Sequence, residues 1–141
     1  MEATSTQRVI LVAGSTPDLP ECIAERVRIF DERALVQVVH PYELRDRCVG
    51  RYRPNLVVLT NYNIPGMDVR SMIWGMDALS IKVLVLVSPF TYREVMAIGT
   101  VTVMPKVCTA QDLEFYLQMA FVPRLYSFVL LPERPADRMI G

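Results

Sequence analysis

Short runs dominated by branched apolar residues recur along the chain at Arg8 to Ala13 (R-V-I-L-V-A), Leu35 to Val39, Leu56 to Leu59 and Lys82 to Val87 (K-V-L-V-L-V). Runs of this length without strict alternation predict strands covered on both faces, as in a parallel sheet. Thr100 to Met104 (T-V-T-V-M) predicts a fifth strand. Between the runs the apolar spacing lengthens to the helical period. Leu19, Ile23, Val27 and Phe30 form one stripe, with Asp18 placed to cap it and Pro20 tolerable in its first turn. Tyr42 to Tyr52 predicts a short surface helix ending near Gly50. Asp68 is placed to cap a helix over Val69 to Ala78, with Val69, Met72, Ile73 and Met76 on one face. Thr91 to Ile98 leaves room for about two turns before Gly99. Thr109 opens a last helix with Leu113, Leu117, Ala120 and Phe121 on its core side, and Pro123 ends it.

Five strands alternating with five helices predict an α/β fold: a doubly wound, five-stranded parallel sheet of order 2-1-3-4-5 in a flavodoxin-like three-layer sandwich. Residues 1–121 make the domain, and residues 122–141 form a tail of another kind. Within it Leu125 to Leu131 (L-Y-S-F-V-L-L) is an apolar docking segment, and a frayed end carries Pro132, Pro135 and charges.

Charge narrows the partners. Fifteen basic residues balance 15 acidic ones, which argues against nucleic acid, because phosphate recognition needs clustered Lys and Arg. Cys22, Cys48 and Cys108 are widely spaced, which suits neither a disulfide framework nor a zinc site and fits a cytoplasmic protein. The polar start and the short apolar runs predict no targeting segment and no membrane span.

Chemistry concentrates after the third strand. Thr60, Asn61, Tyr62 and Asn63 place hydroxyls and amides at the carboxyl end of Leu56 to Leu59, ahead of a Pro65-Gly66 turn, and that end of an open α/β sheet is where ligands gather. The stretch N-Y-N-I-P-G-M-D resembles the receiver domains of two-component response regulators, and the likeness runs from about Arg8 to Phe121. The resemblance implies a CheY-like fold in which an aspartate at the position of Asn61 accepts a phosphoryl group. It implies an acidic pair for magnesium where Gly14 and Ser15 stand, a serine or threonine at Ser88, and a lysine at Lys106. Two of these five positions keep the family's residue type, Ser88 and Lys106. Pro105 precedes Lys106 instead of following it, Val103 stands where an aromatic is common, and the fourth helix is about a turn short.

An acyl phosphate needs a carboxylate nucleophile and a divalent cation. Asn61 offers a neutral amide, and Gly14 and Ser15 offer no carboxylate, so neither catalysis nor a metal or other cofactor is expected. The chain resembles an atypical, degenerate receiver (pseudo-receiver), and Asn61 reads as a structural hydrogen-bonder that pins the loop. Lys106 either is solvated or meets an anion. Asp18 and Asp68 read as helix caps, His40 as a turn residue and Trp74 as packing.

The last helix carries a second apolar stripe, Phe115, Met119 and Val122, beside its core face. This is a candidate interface, covered either by Leu125 to Leu131 or by another chain, a protein partner or a second copy. The expected function is therefore a phosphorylation-independent protein-protein interaction module in signal transduction. The alternative is a sensor of a small anion or metabolite at the cleft of Gly14, Ser15, Asn61, Ser88 and Lys106. An enzyme of unrelated chemistry lacks a nucleophile-base pair or a glycine-rich phosphate loop.

Overall fold

The computed structural model describes residues 7–16, 18–51, 53–105 and 110–121. Five parallel strands, β1 (Val9–Ala13), β2 (Leu35–Val39), β3 (Leu56–Leu59), β4 (Lys82–Val87) and β5 (Thr102–Pro105), lie in the order β2-β1-β3-β4-β5. The expected topology is thus the one observed. Helices α1 (Asp18–Phe30), α2 (Leu44–Val49), α3 (Val69–Ala78) and α4 (Tyr92–Met96) fill the four crossovers, and α5 (Ala110–Ala120) follows β5.

The centre of the sheet explains why the runs are continuously apolar. β3 pairs with β1 on one side and β4 on the other, and all four of its side chains are inaccessible to water. Leu56 and Val58 pack with α1 and α5, whereas Val57 and Leu59 face α2, α3 and α4. Strand pleating thus splits one run between two cores. Burying each such side chain contributes about 1.5–3 kcal/mol, so β3 is held in register from both faces.

Several boundaries differ from expectation. Asp18 is already helical and supplies negative charge to the first turn of α1, where the helix dipole favours it. His40 does more than turn the chain: its ring accepts the Tyr42 N–H while Glu43 accepts the His40 N–H, a capping box on a 3-10 turn over Pro41–Glu43. Tyr42 therefore precedes α2, and its hydroxyl donates to the Pro65 carbonyl, tying that turn to the loop after β3. β5 starts at Thr102, later than predicted, after Gly99 turns the chain at φ +82°. α4 holds five residues, shorter still than the two turns expected. Trp74 corrects the packing expectation, because 49% of it is exposed. Thr109, Pro123 and Leu125 to Leu131 lie outside the described residues.

Candidate functional site

The backbone ladder between β1 and β3 continues one step past the strands, where the Thr60 N–H donates to the Ala13 carbonyl at 2.9 Å. Thr60 is buried, and its hydroxyl donates to the same carbonyl at 3.4 Å. That places Thr60 Oγ1 in the space where a side chain at position 14 would begin. A Cβ on Gly14 would lie 1.9 Å from Thr60 Oγ1, 2.9 Å from Pro20 Cγ and 3.2 Å from Asn61 Oδ1. No carboxylate fits at Gly14 while Thr60 and Pro20 hold these positions.

Asn61, the next residue, is consumed by its surroundings. Its Oδ1 accepts the Ser15 N–H at 3.0 Å, and its Nδ2 donates to Ser15 Oγ at 2.7 Å and to the Asn63 carbonyl at 3.0 Å. Both amide protons and one lone pair are used. The first two bonds bridge the loops after β1 and β3, and the third closes the loop after β3 on itself. Asn61 thus has the loop-pinning place expected for it.

Ser88, at the end of the neighbouring strand β4, is bonded to Thr91. Its N–H donates to Thr91 Oγ1 at 3.1 Å, and the Thr91 hydroxyl lies 3.4 Å from both the Ser88 carbonyl and Ser88 Oγ. The pair forms a turn leading into α4. Lys106 and Val122 lie outside the described residues. The structure therefore brings together Gly14, Ser15 and Asn61, with Thr60 as the residue that sets their spacing. Sequence reasoning noted Thr60 only as a polar strand end; its pairing with a glycine across neighbouring strands was the signal available.

Fit to a magnesium ion fails on the donor set. Ser15 and Asn61 are neutral, they spend their polar atoms on each other, and the Gly14 position is filled by a neighbour, whereas magnesium takes carboxylate oxygens and water. Asp68 is committed elsewhere: its carboxylate accepts the Ser71 N–H at 3.2 Å and the Ser71 hydroxyl at 2.9 Å, capping α3. These bonds, backbone first, hold its carboxyl below the usual aspartate range.

On α5, Phe115 is 52% exposed and meets Tyr116 edge to face at 5.4 Å, while Met119 is half-buried. At the end of this helix the Arg8 guanidinium lies 4.0 Å over the Phe121 ring and 3.3 Å from Asp31. Cys48 is buried and Cys22 exposed. Among the described residues no helix is long and apolar enough to cross a membrane.

No family model matches the sequence, and no curated protein matches it. Solved structures do. The signal receiver domain of the response regulator NarL from Mycobacterium tuberculosis superposes with a TM-score of 0.64 at 16% identity, covering 83% of this chain and 98% of that one. The chemotaxis response regulator CheY4 of Vibrio cholerae gives 0.63 at 17%, covering 82% and 100%. The receiver domain of a DNA-binding response regulator from Colwellia psychrerythraea gives 0.65 at 18%, covering 80% and 97%. At these identities the likeness establishes the fold: the chain has the CheY-like architecture of response-regulator receiver domains.

Proposed function

We propose that this chain is a degenerate receiver domain, a pseudo-receiver that works in signal transduction as a protein-protein interaction module without phosphorylation. The observation that carries the proposal is the reciprocal hydrogen bonding of Asn61 and Ser15 beside the filled Gly14 position. A phosphoryl acceptor must present a free carboxylate oxygen to phosphorus. Among the described residues, the equivalent positions Gly14, Ser15 and Asn61 carry no carboxylate, and Asn61 and Ser15 bond each other.

A sensor of a small anion at the same cleft draws less support, because an anion needs uncommitted donors and both Asn61 amide protons are spent. The exposed Phe115 beside the core stripe of α5 supports contact with a protein partner or a second copy.

Two measurements test the reading. Incubation with acetyl phosphate and magnesium should leave the intact mass unchanged, and a stable phosphoryl adduct would overturn phosphorylation independence. Phe115→Glu should keep the melting temperature while abolishing self-association or partner capture by the full chain. If the variant assembles as the parent does, the α5 surface is not the interface.

A further inference from the structure

The outer side of α5 is left apolar. Leu113, Leu117 and Ala120 face the core, while Phe115 and Met119, one turn apart, lie on another face of the helix. Phe115 is 52% exposed, and Tyr116 meets its ring edge to face. The helix carries Asp112 and Glu114 and no basic residue.

The nearest stretch of chain is fixed by how α5 ends. The Phe121 N–H donates to the Gln118 carbonyl at 3.2 Å, closing the last turn. Arg8 holds the Phe121 ring in place, its guanidinium 4.0 Å over the ring and 3.3 Å from Asp31. The chain thus leaves the body from an anchored point. Only residues 122–124 (V-P-R) then precede residues 125–131 (L-Y-S-F-V-L-L). Three residues extend to at most about 11 Å, and at a helical rise of about 1.5 Å per residue Phe115 lies about 9 Å back from Phe121. Seven residues extend to at most about 25 Å, whereas the 11 residues of α5 rise about 16 Å. The segment reaches both Met119 and Phe115 of its own helix with length to spare.

Six of its seven side chains are apolar or aromatic, so whichever of them turn toward α5, the contact removes apolar surface from water on both sides. Its one charged neighbour in the linker, Arg124, is opposite in sign to Asp112 and Glu114. Tethering through three residues holds the segment at an effective concentration of about a millimolar, which a second copy at micromolar concentration does not match. We propose that residues 125–131 of the same chain lie over Phe115 and Met119 and close the outer side of α5 until a partner displaces them. The inference rests on the reading of α5 as a contact surface and names its resident occupant.

Chymotrypsin tests this in the full chain, because cleavage after Tyr126 or Phe128 requires the ring to leave the helix. Phe115→Glu and, separately, Met119→Glu should each speed cleavage within residues 125–131 by about tenfold or more, since cutting follows the population of the open form. The melting temperature should stay unchanged, which separates release of the segment from unfolding. The parent's cleavage rate per molecule should be the same at low and high micromolar concentration. Equal cleavage of the parent and both variants would overturn the proposal. Protection of the parent that is lost on dilution would overturn the chain's own segment as the occupant. A phosphoryl adduct would sink phosphorylation independence and leave this cleavage pattern untouched, so the two failures are read apart.

Discussion

Asn61 and Ser15 hold each other twice across the carboxyl edge of the sheet, the Ser15 N–H donating to Asn61 Oδ1 at 3.0 Å and Asn61 Nδ2 donating to Ser15 Oγ at 2.7 Å. An amide can do this because it is donor and acceptor at once; a carboxylate only accepts. The third bond, to the Asn63 carbonyl, needs the second amide proton as well. The site is therefore built for the amide and is more than an acceptor site with one atom changed.

Replacing Asn61 with Asp should accordingly destabilise the domain rather than awaken it. The Asn63 carbonyl loses its donor and faces an oxygen instead, a cost of about 1–3 kcal/mol. Denaturant melts should show the loss. The variant should take up no phosphoryl group from acetyl phosphate in magnesium, because positions 14 and 15 still supply no carboxylate; robust labelling of Asn61→Asp would mean that the rest of the chemistry is intact.

Gly14 and Thr60 should behave as a coupled pair. Gly14→Ala drives a methyl against Thr60 Oγ1 and Pro20, with an overpacking cost of about 1–3 kcal/mol. Thr60→Ala opens that space at the expense of a buried hydroxyl. The double variant should be more stable than the sum of the single losses predicts, by about 0.5–3 kcal/mol. Simple additivity in a double-mutant cycle would mean that Thr60 does not set the glycine requirement.

The sheet was legible because burial on both faces leaves no polar position within Leu56 to Leu59, and the turns at Gly66 and Gly99, with φ of +72° and +82°, sit where glycine was read as punctuation. Asn61 and Asp68 were legible for a similar reason: each is a local hydrogen-bonding residue whose partners lie close in sequence or at a neighbouring strand end. What escaped was set by tertiary contact. Nothing local distinguishes a Trp74 that packs from one that stands half-exposed, and the clash at Gly14 depends on a threonine far away in sequence. The capping by His40 was also hidden, since histidine is an uncommon cap and its ring is used here on a 3-10 turn.

The cysteines should separate by reactivity. Cys22 is exposed and Cys48 buried on α2; burial pushes the Cys48 thiol up, against the opposing pull of Arg47 and Arg53. Since the thiolate is the nucleophile, native protein near pH 8 should be alkylated at Cys22 and spared at Cys48, and denaturant should expose both. Peptide mapping after brief iodoacetamide treatment reads this directly. Modification of Cys48 at the rate of Cys22 would show that α2 opens readily from the sheet.

The cap on α3 should give the domain a defined acid sensitivity. Asp68 has its folded pKa held down by the Ser71 N–H and hydroxyl, so the unfolded chain binds this proton more tightly than the folded one. The contribution is therefore present in full above the unfolded aspartate value, near about 3.9, and is lost as pH falls through the folded one. At neutral pH, Asp68→Ala should melt below the parent, because the Ser71 N–H at the start of α3 loses its acceptor. The gap between the two melting temperatures should begin to narrow as the pH falls below the unfolded aspartate value and close further as it passes through the lower folded one, where Asp68 takes up its proton. Asp68→Asn, which keeps an oxygen for the Ser71 N–H, should lie between them at neutral pH and show a flatter pH dependence than the parent. A gap of constant size from neutral to acid pH would mean that ionisation of Asp68 contributes nothing and that the cap works through shape alone.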